Sequence, residues 1–294
     1  MGSLKEIKGR IASVHSTQKI TSAMRMVASA KMHRMQSLTQ NFLRYSNSLR
    51  QITEELGAVT QTATEAKSVV LIPISSSSGL CGSFNSNIAK ATLNRLEEYK
   101  KADTEVLVMP VGKKIIKEVG KLQGQATDTT YGNMNELVEK GDIFSAIQSF
   151  IAVLQKMYFE GKIQKAEVIY HHFVSMGKQV IETKPLPLVP PVVVKKATDA
   201  PELAEESKET EDFITEPDSQ TLAEILHPRM LNAEMYGILL DALTSEHAAR
   251  MMAMQTADDN ANELLQELTL LYNKSRQQAI TNELIDIMGG KVAQ

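Results

Sequence analysis

The run Ser75-Ser76-Ser77-Ser78-Gly79-Leu80-Cys81-Gly82-Ser83 gathers hydroxyls, a thiol and small residues in one stretch. Between a strand and a helix, such a run can cradle a phosphate on backbone N–H groups. It lacks the G-K-S/T ending that such a loop uses, so a tight strand-to-helix connection is the better reading. Cys81 would need a neighbouring base to act as a nucleophile, and no histidine lies near it in the sequence. His171 and His172 are adjacent on an expected strand, so they point to opposite faces and cannot chelate one ion together. His247 falls on an apolar helical stripe, where a buried or half-buried histidine with a local partner is expected. No His, Asp or Glu cluster has metal-ligand spacing. Neither a metal nor a cofactor is expected, and no catalytic residue is assigned.

Charge is distributed unevenly. Residues 3–50 carry nine Lys or Arg against Glu6 alone, a net of +8, whereas the region from Thr221 onward carries ten acidic and five basic residues, a net of −5. Basic charge can bind phosphate backbones, but no aromatic interleaving or recognition motif accompanies it, and no nucleic-acid partner is expected. Opposite signs on two helices that pair with each other are mutually supporting.

The elements that must position these groups follow from composition and period. The chain has 294 residues, no Trp, 15 Met and the single cysteine Cys81. A lone cysteine excludes internal disulfides and fits a reducing compartment. The start lacks the apolar core of a secretory signal, and no apolar stretch approaches the roughly 20 residues that span a bilayer. A protein that meets a membrane only through partners is expected.

From Ser3 to about Leu56 the only glycine is Gly9 and there is no proline. Steps of three and four run through Leu4, Ile7, Ile11, Val14, Thr17, Thr21, Met24, Ala28, Lys31, Met35, Leu38, Phe42, Tyr45, Leu49, Ile52 and Leu56, with one 3-3 slip around Thr17. That is a heptad seam with a stammer, on a helix of roughly 80 Å at about 1.5 Å per residue. After Pro228 a second stripe reads Leu240, Leu243, His247, Met254, Ala257, Ala261, Leu264, Leu268 and Leu271, then resumes out of phase at Ile280, Leu284 and Ile287. Two such stripes should bury each other.

Between them, Ser68–Ile74, Glu105–Val111, Ala166–Val174 and Gln179–Val189 read as strands, the last two as a hairpin. Helical segments are expected from Asn85, over Lys113–Leu122 and over Ile143–Glu160. Strands separated by helices argue for a mostly parallel sheet. The chain therefore divides into an N-terminal helix (1–60), a central α/β domain (66–195), an acidic linker (196–219) and a C-terminal helix (220–294). Thr198–Asp218 holds nine acidic residues against Lys208, a net of −8. The fold class is α/β: a long antiparallel coiled coil beside a Rossmann-like domain. By equal counting from a common base, Leu4 lies near Asn273, and the last 20 or so residues project as a lone helix whose stripe needs another protein to cover it.

Ile11-Ala12-Ser13-Val14, Thr17-Gln18-Lys19-Ile20-Thr21, Ala23-Met24-Arg25-Met26-Val27-Ala28 and Lys31-Met32 resemble the N-terminal helix of the gamma subunits of bacterial F-type ATP synthases. Glu246-His247-Ala248-Ala249-Arg250-Met251-Met252-Ala253-Met254 and Tyr272-Asn273-Lys274-Ser275-Arg276-Gln277, with Ile280-Thr281 and Glu283, resemble the C-terminal helix of that family. The resemblance covers essentially the whole chain. It departs at Ser77-Ser78, where members commonly carry Asp-Arg, so no charged role of this loop is implied. The inserted cysteine pair of redox-regulated chloroplast members is absent from the sequence.

The resemblance implies a non-catalytic rotor. Its shaft would lie in a hexamer of alpha and beta subunits, and its base, with the epsilon subunit, would rest on a membrane ring of c subunits at the cytoplasmic face of the bacterial inner membrane. It also implies contact roles: Met24 near the lower loops of the catalytic subunits, and Arg250, Arg276, Gln277, Thr281 and Glu283 in polar contacts to the hexamer. Two other classes compete: a static coiled-coil tether bearing an α/β binding module, and a phosphate-using enzyme built on the 75–83 loop.

Overall fold

The computed structural model describes residues 4–59, 66–120, 126–127, 143–193, 215–216 and 218–292. Most of the expected linker 196–219 lies outside the described residues. The elements in chain order are α1 (Leu4–Glu55), β1 (Ala58–Val59), β2 (Ser68–Pro73), α2 (Phe84–Lys101), β3 (Glu105–Val108), α3 (Lys113–Val119), β4 (Ala126–Thr127), α4 (Ile143–Phe159), β5 (Lys165–Ser175), β6 (Lys178–Leu186), β7 (Val192–Val193) and α5 (Ser219–Val292). The result is a mixed fold, with long helices at the two ends and a sheet between them in sequence.

Residues 31–249 form one compact unit. Its five-stranded sheet has the order β4-β3-β2-β5-β6; β2 pairs in parallel with β3 and β5, β3 with β4, and only β5–β6 is antiparallel. Alternation along β2 splits the core in two. Val69 and Leu71 join Ile88, Leu96, Val106, Val108, Ile115 and Ile169 on the face covered by α2 and α3. Val70 and Ile72 face the other way, toward Ile147, Phe150, Ile151 and Leu154 of α4 and toward Leu231, Met235, Ile238 and Leu239 of α5. Met35, Leu38 and Phe42 of α1 pack on that second face. Two-residue strands β1 and β7 pair antiparallel beside it; neither they nor β4 carries a sequence signal long enough to read.

The terminal residues 1–30 and 250–294 form the other unit. Side-chain contacts that join its helices include Gln18 Nε2, which donates to Asn262 Oδ1 at 2.5 Å, and Arg25 Nη1, which donates to Gln255 Oε1.

The seam along α1 differs from the expected one. Ile7, Val14, Thr21, Ala28, Met35, Phe42, Leu49 and Leu56 are all buried or half-buried, and so are Leu4, Ile11, Gln18, Arg25, Met32, Thr39, Ser46 and Thr53. These two sets alternate three and four without interruption, so there is no stammer. The second set replaces the expected Thr17, Lys31, Tyr45 and Ile52, each of which is exposed. At Thr17 and Lys31 the expected positions only filled gaps in the spacing, and elsewhere ranking by hydrophobicity picked the wrong neighbour because polar residues here bond within or beside the seam. Gln18 and Arg25 bond across it, while Thr39 and Thr53 donate to the Met35 and Leu49 carbonyls at 2.9 and 2.8 Å.

The same one-residue slip occurs on α5. Met254, Asp258, Ala261, Leu265, Leu268, Tyr272, Ser275 and Ala279 are buried or half-buried, whereas the expected Leu264 and Leu271 are 43% and 49% exposed. Asp218 caps the start of α5, accepting from the Thr221 N–H at 2.9 Å and the Thr221 hydroxyl at 2.6 Å.

Candidate functional site

The 75–83 loop uses its polar groups on itself. Ser75 Oγ accepts the Ile115 N–H at 3.0 Å, and Asn85 Oδ1 accepts both the Ser76 N–H and the Ser76 hydroxyl at 3.0 Å. Asn85 Nδ2 points at Cys81 Sγ at 3.1 Å, and the thiol is buried at 2% exposure. Leu80 and Gly82 take positive φ values of 62° and 59°, which folds the run tightly. Gly112 enters the same fold: a Cβ there would lie 2.2 Å from the Ser75 carbonyl oxygen. The arrangement fastens β2 to α2 and α3. Cys81 is buried beside Ser76 and Asn85, neither of which is a base, so the strand-to-helix connection describes the loop and nothing in it favours a phosphate-using enzyme.

The two adjacent histidines do face opposite ways. His171 is buried and stacks on Phe84, with ring centroids 4.2 Å apart, and its Nδ1 has no hydrogen-bond partner. Burial pushes its pKa down to about 4, so it is a neutral ring at ordinary pH. His172 is half-exposed and sits 2.6 Å from Asp241 Oδ2 through Nδ1; that contact pushes its pKa up. Among the described residues no group of His, Cys, Asp and Glu could hold a metal ion.

Sequence reasoning missed the polar groups that tie α5 to the β5–β6 hairpin. Asp241 Oδ1 also accepts the Phe173 N–H at 2.9 Å; Lys184 Nζ lies 3.0 Å from Glu234 Oε1; His227 Nε2 is 2.7 Å from the Pro187 carbonyl oxygen; and Ser245 Oγ donates to the His171 carbonyl at 2.9 Å. Beside these contacts a cavity of about 1080 Å³ opens between residues 36–50 of α1, the hairpin and residues 230–244 of α5, with Phe42, Leu43, Tyr170, His172, Lys184 and Asp241 among its walls. On the other face, Glu167 is buried beside Arg95, which bonds it twice at 2.7 and 2.8 Å, and beside Lys165 at 2.8 Å. Burial pushes the Glu167 carboxyl up, but these cations outweigh it and hold the pKa at about 2.

The six expected contact residues fall in different settings. Met24 is half-buried on α1; Arg276, Gln277, Thr281 and Glu283 are exposed on α5, and the Thr281 hydroxyl donates back to the Gln277 carbonyl at 2.9 Å. Arg250 is buried at 8% exposure. Beyond them α5 presents bare aliphatic side chains: Ile280, Leu284, Ile285, Ile287 and Met288 are 49%, 56%, 60%, 62% and 70% exposed. Among the described residues no helix is long and apolar enough to cross a membrane.

Residues 3–293 match the family described as ATP synthase. The ATP synthase gamma chain of Parabacteroides distasonis is 47% identical over 300 residues, an alignment spanning 99% of this chain and 98% of that one. The fold is similar to a chain of the Euglena gracilis mitochondrial ATP synthase, OSCP/F1/c-ring in rotational state 3, with a TM-score of 0.63 at 18% identity, covering 99% of this chain and 94% of that one. A chain of the rotor of the same assembly in rotational state 1 gives 0.59 at 18% identity, covering 94% and 98%.

Proposed function

We infer the function from one premise: this chain belongs to the ATP synthase gamma-chain family, and it is the central rotor shaft, a non-catalytic part of the complex. The observation that carries the mechanical reading is the bare end of α5. Large apolar side chains exposed together on one helix mark a surface meant to be covered.

The finer architecture we assign is an antiparallel coiled coil. From Gln18 to Arg25 the chain advances seven residues while the partners step back seven, from Asn262 to Gln255. Continuing that register sets Leu4 level with Arg276. Residues 277–292 of α5 then extend about 24 Å past the pairing, at about 1.5 Å per residue. In this reading that end turns inside a collar of alpha and beta subunits, while the α/β domain, 66–195, meets the epsilon subunit and the c-ring. The shaft is held in this way at the cytoplasmic face of a bacterial inner membrane, and the segment 196–219 serves as a linker.

A ring of identical sites is symmetric, and a single off-centre shaft touches each site differently. Turning it changes the relative affinity of each site for ADP with phosphate and for ATP, with no chemistry in the shaft. We assign the contacts with the hexamer to Met24, Arg250, Arg276, Gln277, Thr281 and Glu283. Gln277, Thr281 and Glu283 stand exposed on the projecting end, Arg276 is exposed where it begins, Met24 lies on the facing helix, and Arg250, largely covered by its own chain, acts at the rim.

Three measurements test the reading. The purified complex should contain one copy of this chain per three catalytic subunits; a higher ratio would favour a static tether. Deleting residues 280–294 should weaken the hold on the hexamer while the α/β domain stays folded, and loss of the whole fold would contradict the assignment. Met24→Lys adds a charge able to pair with acidic loops and should lower proton pumping per ATP more than it lowers assembly.

A further inference from the structure

The polar contacts between α5 and the β5–β6 hairpin share one line on the helix. His227, Glu234 and Asp241 are spaced by seven, and Ser245 follows four later. At 3.6 residues per turn, the 18 residues from His227 to Ser245 make five turns, so all four lie within an arc of about 40°. Each meets a different point of the hairpin: Pro187 O at 2.7 Å, Lys184 at 3.0 Å, His172 at 2.6 Å with the Phe173 N–H at 2.9 Å, and His171 O at 2.9 Å. The contacts are spread over both strands and the residue just past the end of β6, so the line engages the hairpin at several points along its length.

Apolar packing flanks this line on α5 through Leu231, Met235, Ile238, Leu239 and Ala242. The hydrophobic driving force behind such packing is non-directional, although the interdigitated side chains also oppose a turn of the helix. Hydrogen bonds behave otherwise. A side-chain tip about 6 Å from the axis moves about 2 Å when the helix turns about 20°, which carries a 2.6–3.0 Å bond out of range. Both acceptors, Asp241 and Glu234, are carboxylates, and bonds to an ionised acceptor are the stronger ones; Glu234 also faces the Lys184 ammonium. These four positions therefore offer a direction-sensitive path by which twist applied to the α/β domain passes into the continuous backbone of α5.

We propose that His227, Glu234, Asp241 and Ser245 form a polar key that locks α5 against rotation about its axis relative to the β5–β6 hairpin, making them and their partners the positioning residues for torque transfer. This rests on the rotor reading and adds to it the place where torque enters the C-terminal helix.

The test uses the assembled ATP synthase carrying Glu234→Gln with Asp241→Asn, which keeps side-chain shape and removes both charges. Rotation of a bead on this chain is followed during ATP hydrolysis, with and without viscous load. The ratio of loaded to unloaded speed should fall about threefold or more, in line with the loss of two partly exposed charged contacts. The charge exchange Lys184→Glu with Glu234→Lys should hold that ratio near the parent value, because it rebuilds one pair. A merely structural role would lower the amount of complex and leave the ratio unmoved. An unchanged ratio in a fully assembled double variant overturns the proposal. If the double variant does not assemble, Lys184→Gln on the hairpin side should lower the ratio by a smaller factor, and an unchanged ratio there overturns it equally. Failure of the rotor reading looks different: the bead on the parent chain would not turn at all.

Discussion

Asp241 holds two neighbouring residues of β5 at once, with Oδ2 at 2.6 Å from the His172 imidazole and Oδ1 at 2.9 Å from the Phe173 N–H. One carboxylate on a helix thus fixes both a ring and a backbone amide on a strand 68 and 69 residues earlier in the chain.

The pairing gives stability a pH dependence with a definite sign. The charged groups that act on His172 are Asp241 from α5, which bonds its ring, and Glu182 from β6. The folded pKa of His172 is raised, so its contribution is complete below the ordinary histidine value of about 6.5 and fades as pH climbs through the folded value. His172→Gln should therefore lower the thermal midpoint more at about pH 5.5 than at about pH 9. Equal losses at both would contradict this.

His171 runs the other way. Its folded pKa is depressed to about 4, so as pH falls from about 6.5 toward that value the unfolded chain takes up protons that the folded chain refuses. The folded state loses stability across that window. His171→Phe, which keeps a ring against Phe84, should flatten the acid limb of a melting profile; a profile as steep as the parent's would show that another group controls it.

The one-residue difference in the α1 seam can be checked by truncation. Met32 is fully buried, so Met32→Ala should cost about 2–5 kcal/mol in a denaturant titration. Tyr45→Ala, at 49% exposure, should stay within about 0.5 kcal/mol. The opposite ranking would restore the seam drawn from hydrophobicity.

Gly112 has φ of 99°, and a Cβ there would meet the Ser75 carbonyl at 2.2 Å. Gly112→Ala should destabilise the 75–83 loop and its anchorage by about 3 kcal/mol or more. A near-neutral denaturant midpoint would mean that the loop can shift aside.

On β5, Glu167→Gln should remove the counter-charge that Arg95 and Lys165 share and cost about 1–3 kcal/mol, because Arg95 keeps Glu98 and both cations reach solvent. The same variant should melt with a shallower loss between about pH 4.5 and about pH 2, because the parent carboxylate, held at about 2, loses its advantage as protons return across that range. Parent-like acid behaviour would assign that loss elsewhere.

The long helices were legible because proline and glycine are absent over long spans and apolar residues recur at three and four. The order of strands and helices was legible from β2, β3, β5 and β6, each with several consecutive apolar or β-branched residues. The exact seam phase was not, since Gln18, Arg25, Thr39 and Thr53 sit where the expected seam places Thr17, Met24, Leu38 and Ile52. Polar residues at a seam reveal themselves only through the partners they meet. His172–Asp241 and Arg95–Glu167 were beyond reach for the same reason: each pair spans about 70 residues, and charge alone does not say which opposite charge folds beside it. The seven-residue spacing of His227, Glu234 and Asp241 was visible, but a search for apolar periodicity passes over it.

The uncovered aliphatic run from Ile280 to Met288 bears on how the chain is made. A copy synthesised in excess of its partners carries a sticky end with nothing to shield it, and excess copies will clump or be cleared. Balanced production of the whole set, with prompt capture of this tip, is therefore a requirement written into the last turns of the helix.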